Sequence, residues 1–196
     1  MQVNKLEDNQ IIENEIYFSS QLKMNDLDFT NKTQVINALK ERLREYYLEP
    51  IKKLNKGKHC FAAGVLLITT IEAICFYTIN KASKTRMISF FMQAKGMERY
   101  NDNLKMKKSI AIRLVSDFRE GLIIEGRIKK GGLFSYDYDC LLTVIDNYMI
   151  INPNYLYEEI ETFLNLFFSE LTKNKVSYDF FIKEFKRQFS DIFDFV

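Results

Sequence analysis

The sequence predicts a mainly α-helical protein, a helical bundle with one small β-hairpin near residues 136–151, and three observations carry that reading. Chain breakers are scarce, with seven Gly and two Pro in 196 residues, which favours helices over a turn-rich all-β design. Apolar residues recur at three- and four-residue spacing through several stretches, the mark of helices with one buried face. One region switches instead to β-branched and aromatic runs on either side of Asp146-Asn147, the pattern of a hairpin. A hydrophobic share of 47% with 14% aromatics supplies a core, and the length is that of about one domain that needs neither disulfide nor metal. The expected organisation is an N-terminal arm over residues 1–30 and a single helical domain over 31–196.

In chain order, residues 1–30 are polar apart from Ile16-Tyr17-Phe18 and Leu27 to Phe29, and read as an arm or short helix outside the core. Thr30-Asn31 is a cap signal for a helix with Ile36, Leu39, Leu43 and Tyr46 on one face. Pro50 marks its end or a kink. Lys52 to Lys58 is a basic link, read first as a solvated turn. His59 to Ile79 is the most apolar segment and nearly long enough for a membrane span. Glu72 and Thr69-Thr70 argue instead for a central buried helix, with no membrane association. Small residues at 62–64 leave room for a neighbouring helix. Glu72 needs a cation in such surroundings, and Arg119 or Arg113 is the expected partner in a core ion pair.

Lys81 to Arg86 reads as a polar connector, Met87 to Met97 as a helix, and Glu98 to Lys108 as a charged loop. From Ser109 the residues Ala111, Leu114, Val115, Phe118 and Leu122 make one stripe, with Arg119 at its edge and Gly121 and Gly126 bracketing the end. Leu141 to Ile145 and Tyr148 to Ile151 form the hairpin. Asp137 and Asp139 share a face with each other if that segment is extended, and read as an exposed strand edge before a metal pair. Asn152-Pro153 opens a helix striped by Leu156, Ile160, Phe163, Phe167 and Leu171. Lys173-Asn174-Lys175 closes it. Ser177 caps a last helix on which Phe181, Phe185, Phe189, Phe193 and Val196 recur, a face suited to core packing or, second, to a homodimer seam.

Composition narrows the classes of function. A net charge of +2 is too small to announce nucleic acid, so any such contact comes from local clustering. The three cysteines Cys60, Cys75 and Cys140 have no short spacing for zinc and are odd in number, which points to a reducing, cytoplasmic setting. Met1 to Asp8 carries no apolar run behind a basic cluster, so no secretory signal is expected. His59, the one histidine, precedes Cys60, but consecutive helical residues point about 100° apart, so the two do not form a nucleophile and base.

The stretch that looks most like a site is Asp117 to Gly132, with Arg119 followed by a glycine-flanked basic segment containing Arg127, Lys129 and Lys130. It resembles the motif segment of the HEPN family, all-helical RNA-cleaving and nucleotide-binding domains of bacterial toxins and phage-defence proteins. In that family an Arg is followed four to six residues later by a His, and the pair carries metal-independent ribonuclease chemistry. Arg119 matches the first position. Ile124 stands where the resemblance implies His, and an aliphatic side chain cannot handle a proton.

The resemblance implies a homodimer whose motif segments share a cleft, no cofactor and no metal. Arg119, Arg127, Lys129 and Lys130 would bind RNA phosphates. The first function read from it is RNA binding or scaffolding by a non-catalytic or weakly active protein that has lost efficient cleavage, in a toxin or phage-defence setting. The second is a working ribonuclease in which Glu125, Tyr136 or His59 replaces the missing base. The third is an interaction module for a cognate protein partner.

Overall fold

Asn31 begins the first long helix as the spacing predicts. Its side chain accepts a hydrogen bond from the Gln34 backbone N–H at 3.1 Å, satisfying a first-turn donor that the helix cannot. The structure, a computed structural model, describes residues 17–78 and 83–189. Two compact units divide the chain, Met1–Glu49 and Pro50–Val196.

In the first unit, helix α1 (Lys32–Leu43) passes into a π-helical turn, Arg44–Leu48. Pro50, at the start of α2 (Glu49–Lys56), therefore does not stop the helical run. It lacks an N–H and crowds the carbonyl four residues back, and the wider π turn ahead of it accommodates both. Phe18, Met24 and Leu27 are buried, and polar bonds lash residues 18–20 to α1 and the turn after it. Ser19 Oγ donates to Glu41 at 2.5 Å, Ser20 Oγ donates to Glu45 at 2.6 Å, and Arg42 donates to the Phe18 carbonyl at 2.6 Å. Residues 18–20 are thus held against the helical run of this unit, while residues 1–16, Ile16 among them, lie outside the described residues.

In the second unit the apolar helix α3 (Cys60–Thr78) is the centre of packing. Leu67, Ile68, Ile71, Ile74 and Cys75 are buried, and α4 (Ser83–Gln93), α7 (Pro153–Lys173), α8 (Lys175–Gln188) and the sheet all pack on it. It meets the length and hydropathy of a membrane span, with half of its 18-residue window buried by the protein itself. Helix α4 begins at Ser83, within the stretch read as a connector; residues 81 and 82 lie outside the described residues. A 3-10 turn at Lys95–Tyr100 occupies part of the expected loop. The next helix starts at Leu104 rather than at Ser109, because Asn103 caps it by accepting from Met106 N–H at 3.0 Å.

That helix is one continuous rod in three segments: α5 (Leu104–Leu114), a π turn at Val115–Glu120, and α6 (Gly121–Glu125). Gly121 does not end it. Gly126, left-handed at φ 66°, does.

The sheet has three strands where the sequence shows two. Strands β2 (Leu142–Ile145) and β3 (Tyr148–Ile151) form the expected hairpin in the register Leu142 to Ile151 and Ile145 to Tyr148, with Asp146 at φ 51° in the turn. Strand β1 (Gly132–Phe134) adds parallel to β3, giving the order β1-β3-β2. Residues 136–140 are irregular, so Asp137 and Asp139 lie on no strand edge. Phe134, Met149, Ile151 and Leu142 share the buried face. Phe134 fills the space that Gly64 of α3 leaves, so at that position it is a strand and not a helix that approaches.

Helix α7 buries Leu156, Ile160, Leu164, Phe168 and Leu171, a stripe shifted one position from Phe163 and Phe167. Those two sit at its margins, against Phe90 at 5.2 Å and Phe181 at 6.0 Å between ring centroids. Asn174, not Ser177, caps α8, accepting from Val176 N–H at 3.0 Å and Ser177 N–H at 3.2 Å. The aromatic face of α8 is core: Phe181 and Phe185 are fully buried and pack on Tyr77 at 5.8 and 5.9 Å. Phe193 and Val196 lie outside the described residues.

A Cβ on Gly64 would stand 2.3 Å from the Phe134 ring, which is itself buried against Phe118 at 5.1 Å. Gly64→Ala is therefore expected to destabilise by about 1–3 kcal/mol through overpacking. Chemical denaturation checks this, and adding Phe134→Leu should restore most of the loss.

Candidate functional site

The π turn at Val115–Glu120 spreads four charged or hydroxylic side chains around the rod just before the basic loop, and π turns of this kind concentrate at functional sites. Asp117 is fully buried. Its Oδ2 accepts from Arg113 Nε at 2.9 Å, an i,i+4 pair on one helical face, while Oδ1 is buried with no hydrogen-bond partner among the described residues. The other edge of the same guanidinium reaches off the helix, where Nη2 donates to the Lys130 carbonyl at 3.1 Å and to the Asn147 carbonyl. One arginine thus ties the rod to the basic loop and to the hairpin turn.

The loop itself folds back along the helix that precedes it. Lys129 N–H donates to the Asp117 carbonyl at 2.9 Å, and Arg127 N–H to the Gly121 carbonyl at 3.1 Å. The approach is so close that a Cβ on Gly121 would lie 2.4 Å from the Arg127 carbonyl oxygen. The glycine after Arg119 is therefore a place for the loop to rest and not a helix terminator.

Arg119 points to α3. Its Nε donates to Glu72 Oε2 at 3.1 Å and its Nη2 to Glu72 Oε1 at 3.2 Å, a two-pronged pair with side chains 20% and 28% exposed. Of the two arginines weighed for Glu72, Arg119 holds it and Arg113 is engaged by Asp117. Lys84, from the first turn of α4, contacts Glu120 at 2.8 Å. That hydrogen bond, with smaller contributions from Lys129 and Arg119, holds the Glu120 carboxyl below the ordinary glutamate range. Glu125 lies between Lys129 at 2.5 Å and Arg127 at 2.8 Å. The hydrogen bond from Lys129 is the main reason its carboxyl is also held low, Arg127 adding to it. Lys130 is exposed and left-handed at φ 47°. Arg119, Arg127, Lys129 and Lys84 thus gather around two carboxylates, and Lys130 extends the loop beyond them.

The groups named as substitutes for the absent histidine stand differently. Ile124 itself is 70% exposed, on the last turn of α6. His59 sits at the start of α3, thirteen residues before Glu72, which puts it roughly 20 Å along the axis from the carboxylate that Arg119 holds. Tyr136 donates its hydroxyl to Asn55 at 2.8 Å and lies under Lys58, whose Nζ is 4.7 Å from the ring centre. Burial, helped by Cys60, pushes the Tyr136 phenol upward, away from the range of a proton acceptor at neutral pH. Cys75, next to Glu72 on α3, is pushed up to about 12 by burial and by that carboxylate, and stays a thiol.

Among the described residues no group of three or more His, Cys, Asp and Glu side chains is placed to hold a metal ion. Asp137 accepts from Ser135 Oγ at 2.7 Å, and Asp139 lines a separate shallow cleft with Cys140 and Tyr155.

Arg113, Asp117, Lys84 and Glu120 belong to this region although the motif does not mark them. The i,i+4 spacing of Arg113 and Asp117 is a signal that could have found the first two. Nothing in the sequence joins Lys84 to Glu120. Comparisons with protein-family models, with curated proteins and with solved structures return no match for the chain.

Arg113→Met leaves a buried carboxylate without its cation and should cost about 3 kcal/mol, with faster amide exchange across Lys129 to Gly132, measured by hydrogen-exchange mass spectrometry. Lys84→Met should return the Glu120 titration upward toward the ordinary glutamate range, followed by carboxyl-carbon NMR. The sign follows from linkage: a carboxyl held low stabilises the fold above its unfolded value and loses that contribution as pH falls through the folded one.

Proposed function

We propose that the chain is a HEPN-like helical protein that binds RNA through its phosphate backbone without efficient cleavage, in a bacterial toxin or phage-defence role. The observation that carries this reading is the fold-back of Arg127 to Gly131 onto the helix bearing Arg119. It gathers the motif arginine, Arg127, Lys129 and Lys84 around Glu120 and Glu125, and Lys130 extends the cationic surface into solvent. Guanidinium and ammonium groups outnumber carboxylates here, which favours polyanions and makes binding sensitive to salt.

Proton chemistry is the weaker reading. A general base works best when poised near neutrality. Glu125 is held low by two cations, Tyr136 is held high, and His59 is distant from Arg119. A contact surface for a cognate protein partner is a second reading. It is favoured by Ile123 and Ile124, 47% and 70% exposed, which present an apolar step beside the basic loop.

Binding of labelled single-stranded RNA, followed by fluorescence anisotropy over a salt series, tests the proposal. Arg119→Ala and Lys129→Ala should each weaken binding and reduce the slope of log K against log salt by about 0.7 per lost phosphate contact. Unchanged affinity and slope in both variants would overturn it. Restoring the family residue with Ile124→His should raise metal-independent cleavage by about a hundredfold or more over any background, the usual contribution of a placed acid or base. Gel analysis of RNA incubated with chelator reads this directly, and a folded but inactive variant counts against the family likeness.

A further inference from the structure

The two-pronged contact between Arg119 and Glu72 carries more than a structural role. A guanidinium offers one planar fork per edge, and that fork fits a carboxylate and the two non-bridging oxygens of a phosphodiester in the same way. The Nε and Nη2 edge of Arg119 is filled by Glu72. Glu72 projects from α3, where Ile71, Ile74 and Cys75 are buried, so the backbone that carries it is fixed by the core while its side chain keeps its own rotamers. Both side chains keep a path to solvent, at 20% and 28% exposure, and an incoming anion can therefore reach the pair.

We infer that Glu72 is an internal latch: its carboxylate occupies the Nε and Nη2 fork of Arg119 and must be displaced before that fork can grip a phosphate. The inference rests on the RNA-binding reading above and assigns its regulation. Arg127, Lys129 and Lys130, lying further out on the loop, supply the first attraction, and Arg119 engages only when a phosphate outcompetes the fixed carboxylate. Loose anions, including short or singly charged ones, are then rejected, because they lack the additional contacts on the loop that favour the exchange. The carboxylate acts twice, by filling the fork and by repelling negative charge from it.

Three forms of the full chain, Glu72→Gln, Arg119→Ala and the double variant, decide the matter alongside the unaltered protein. Each is titrated against a fluorescein-labelled oligouridylate at fixed salt, with thermal melting recorded. The amide keeps the shape of Glu72 but not its charge, so Glu72→Gln should bind RNA at least about fivefold more tightly, the lower end of ordinary coupling between competing sites. The gain should vanish in the double variant. Equal or weaker binding by a folded Glu72→Gln, with Arg119→Ala still impairing the otherwise unaltered protein, overturns the latch and leaves RNA binding standing. No effect of Arg119→Ala in either background overturns both.

If Glu72→Gln does not fold, NMR on the unaltered chain replaces it. Addition of the same oligouridylate should move the Arg119 Nε resonance and the Glu72 carboxyl carbon together. Movement of the arginine signal without the glutamate signal overturns the latch.

Discussion

A buried carboxylate that must be neutralised sets the geometry of this protein. Asp117 is fully buried within the helical rod, and an ion in such surroundings persists only with a partner. Arg113 provides it, and because the guanidinium has donors on two edges, the same residue also bonds the Lys130 and Asn147 carbonyls. Rod, basic loop and hairpin turn are therefore fixed by one side chain. Strand β1 follows directly from that loop, so pinning the loop also places Phe134 against Gly64 of α3. Helix α3 in turn carries Glu72, which holds Arg119. The electrostatic region and the packing of the core are consequences of the same constraint.

The cations are not scattered over the surface; carboxylates intersperse them. Glu72, Glu120 and Glu125 each hold one or two basic groups. Such alternation keeps the cluster from repelling itself and presents forks and ammonium groups in defined positions. Hydrophobic core formation does the structural work around it, with the α8 phenylalanines packed on Tyr77 of α3 rather than turned outward.

The long helices were legible because each needs a buried stripe and the stripe repeats with the helical period. Their ends were less so. Asn103 and Asn174 cap α5 and α8, whereas Ser109 and Ser177 carry the same kind of side-chain acceptor a few residues on, and the apolar pattern cannot choose between them. Strand β1 is three residues long, too short for alternation to register, and its parallel partner lies across a loop and another strand. At the candidate site, Glu72 announced itself as a carboxylate in an apolar helix in need of a cation. Which arginine answered could not be read, since the π turn changes the direction of every side chain after it. The bonds from Arg113 to two distant carbonyls had no local signature either.

That π turn has a consequence for how the site can change. It accommodates one residue more than regular winding would, so the turn that bears Gly121 to Glu125 is rotated relative to the stretch bearing Arg113. Loss of a single codon between positions 115 and 120 would remove that extra residue and restore ordinary winding, with the two halves of the rod keeping nearly their present mutual orientation. The rod can thus give up a residue at this turn and keep the heading of the loop beyond it, whereas an omission from the regular winding on either side would turn that loop by about 100°.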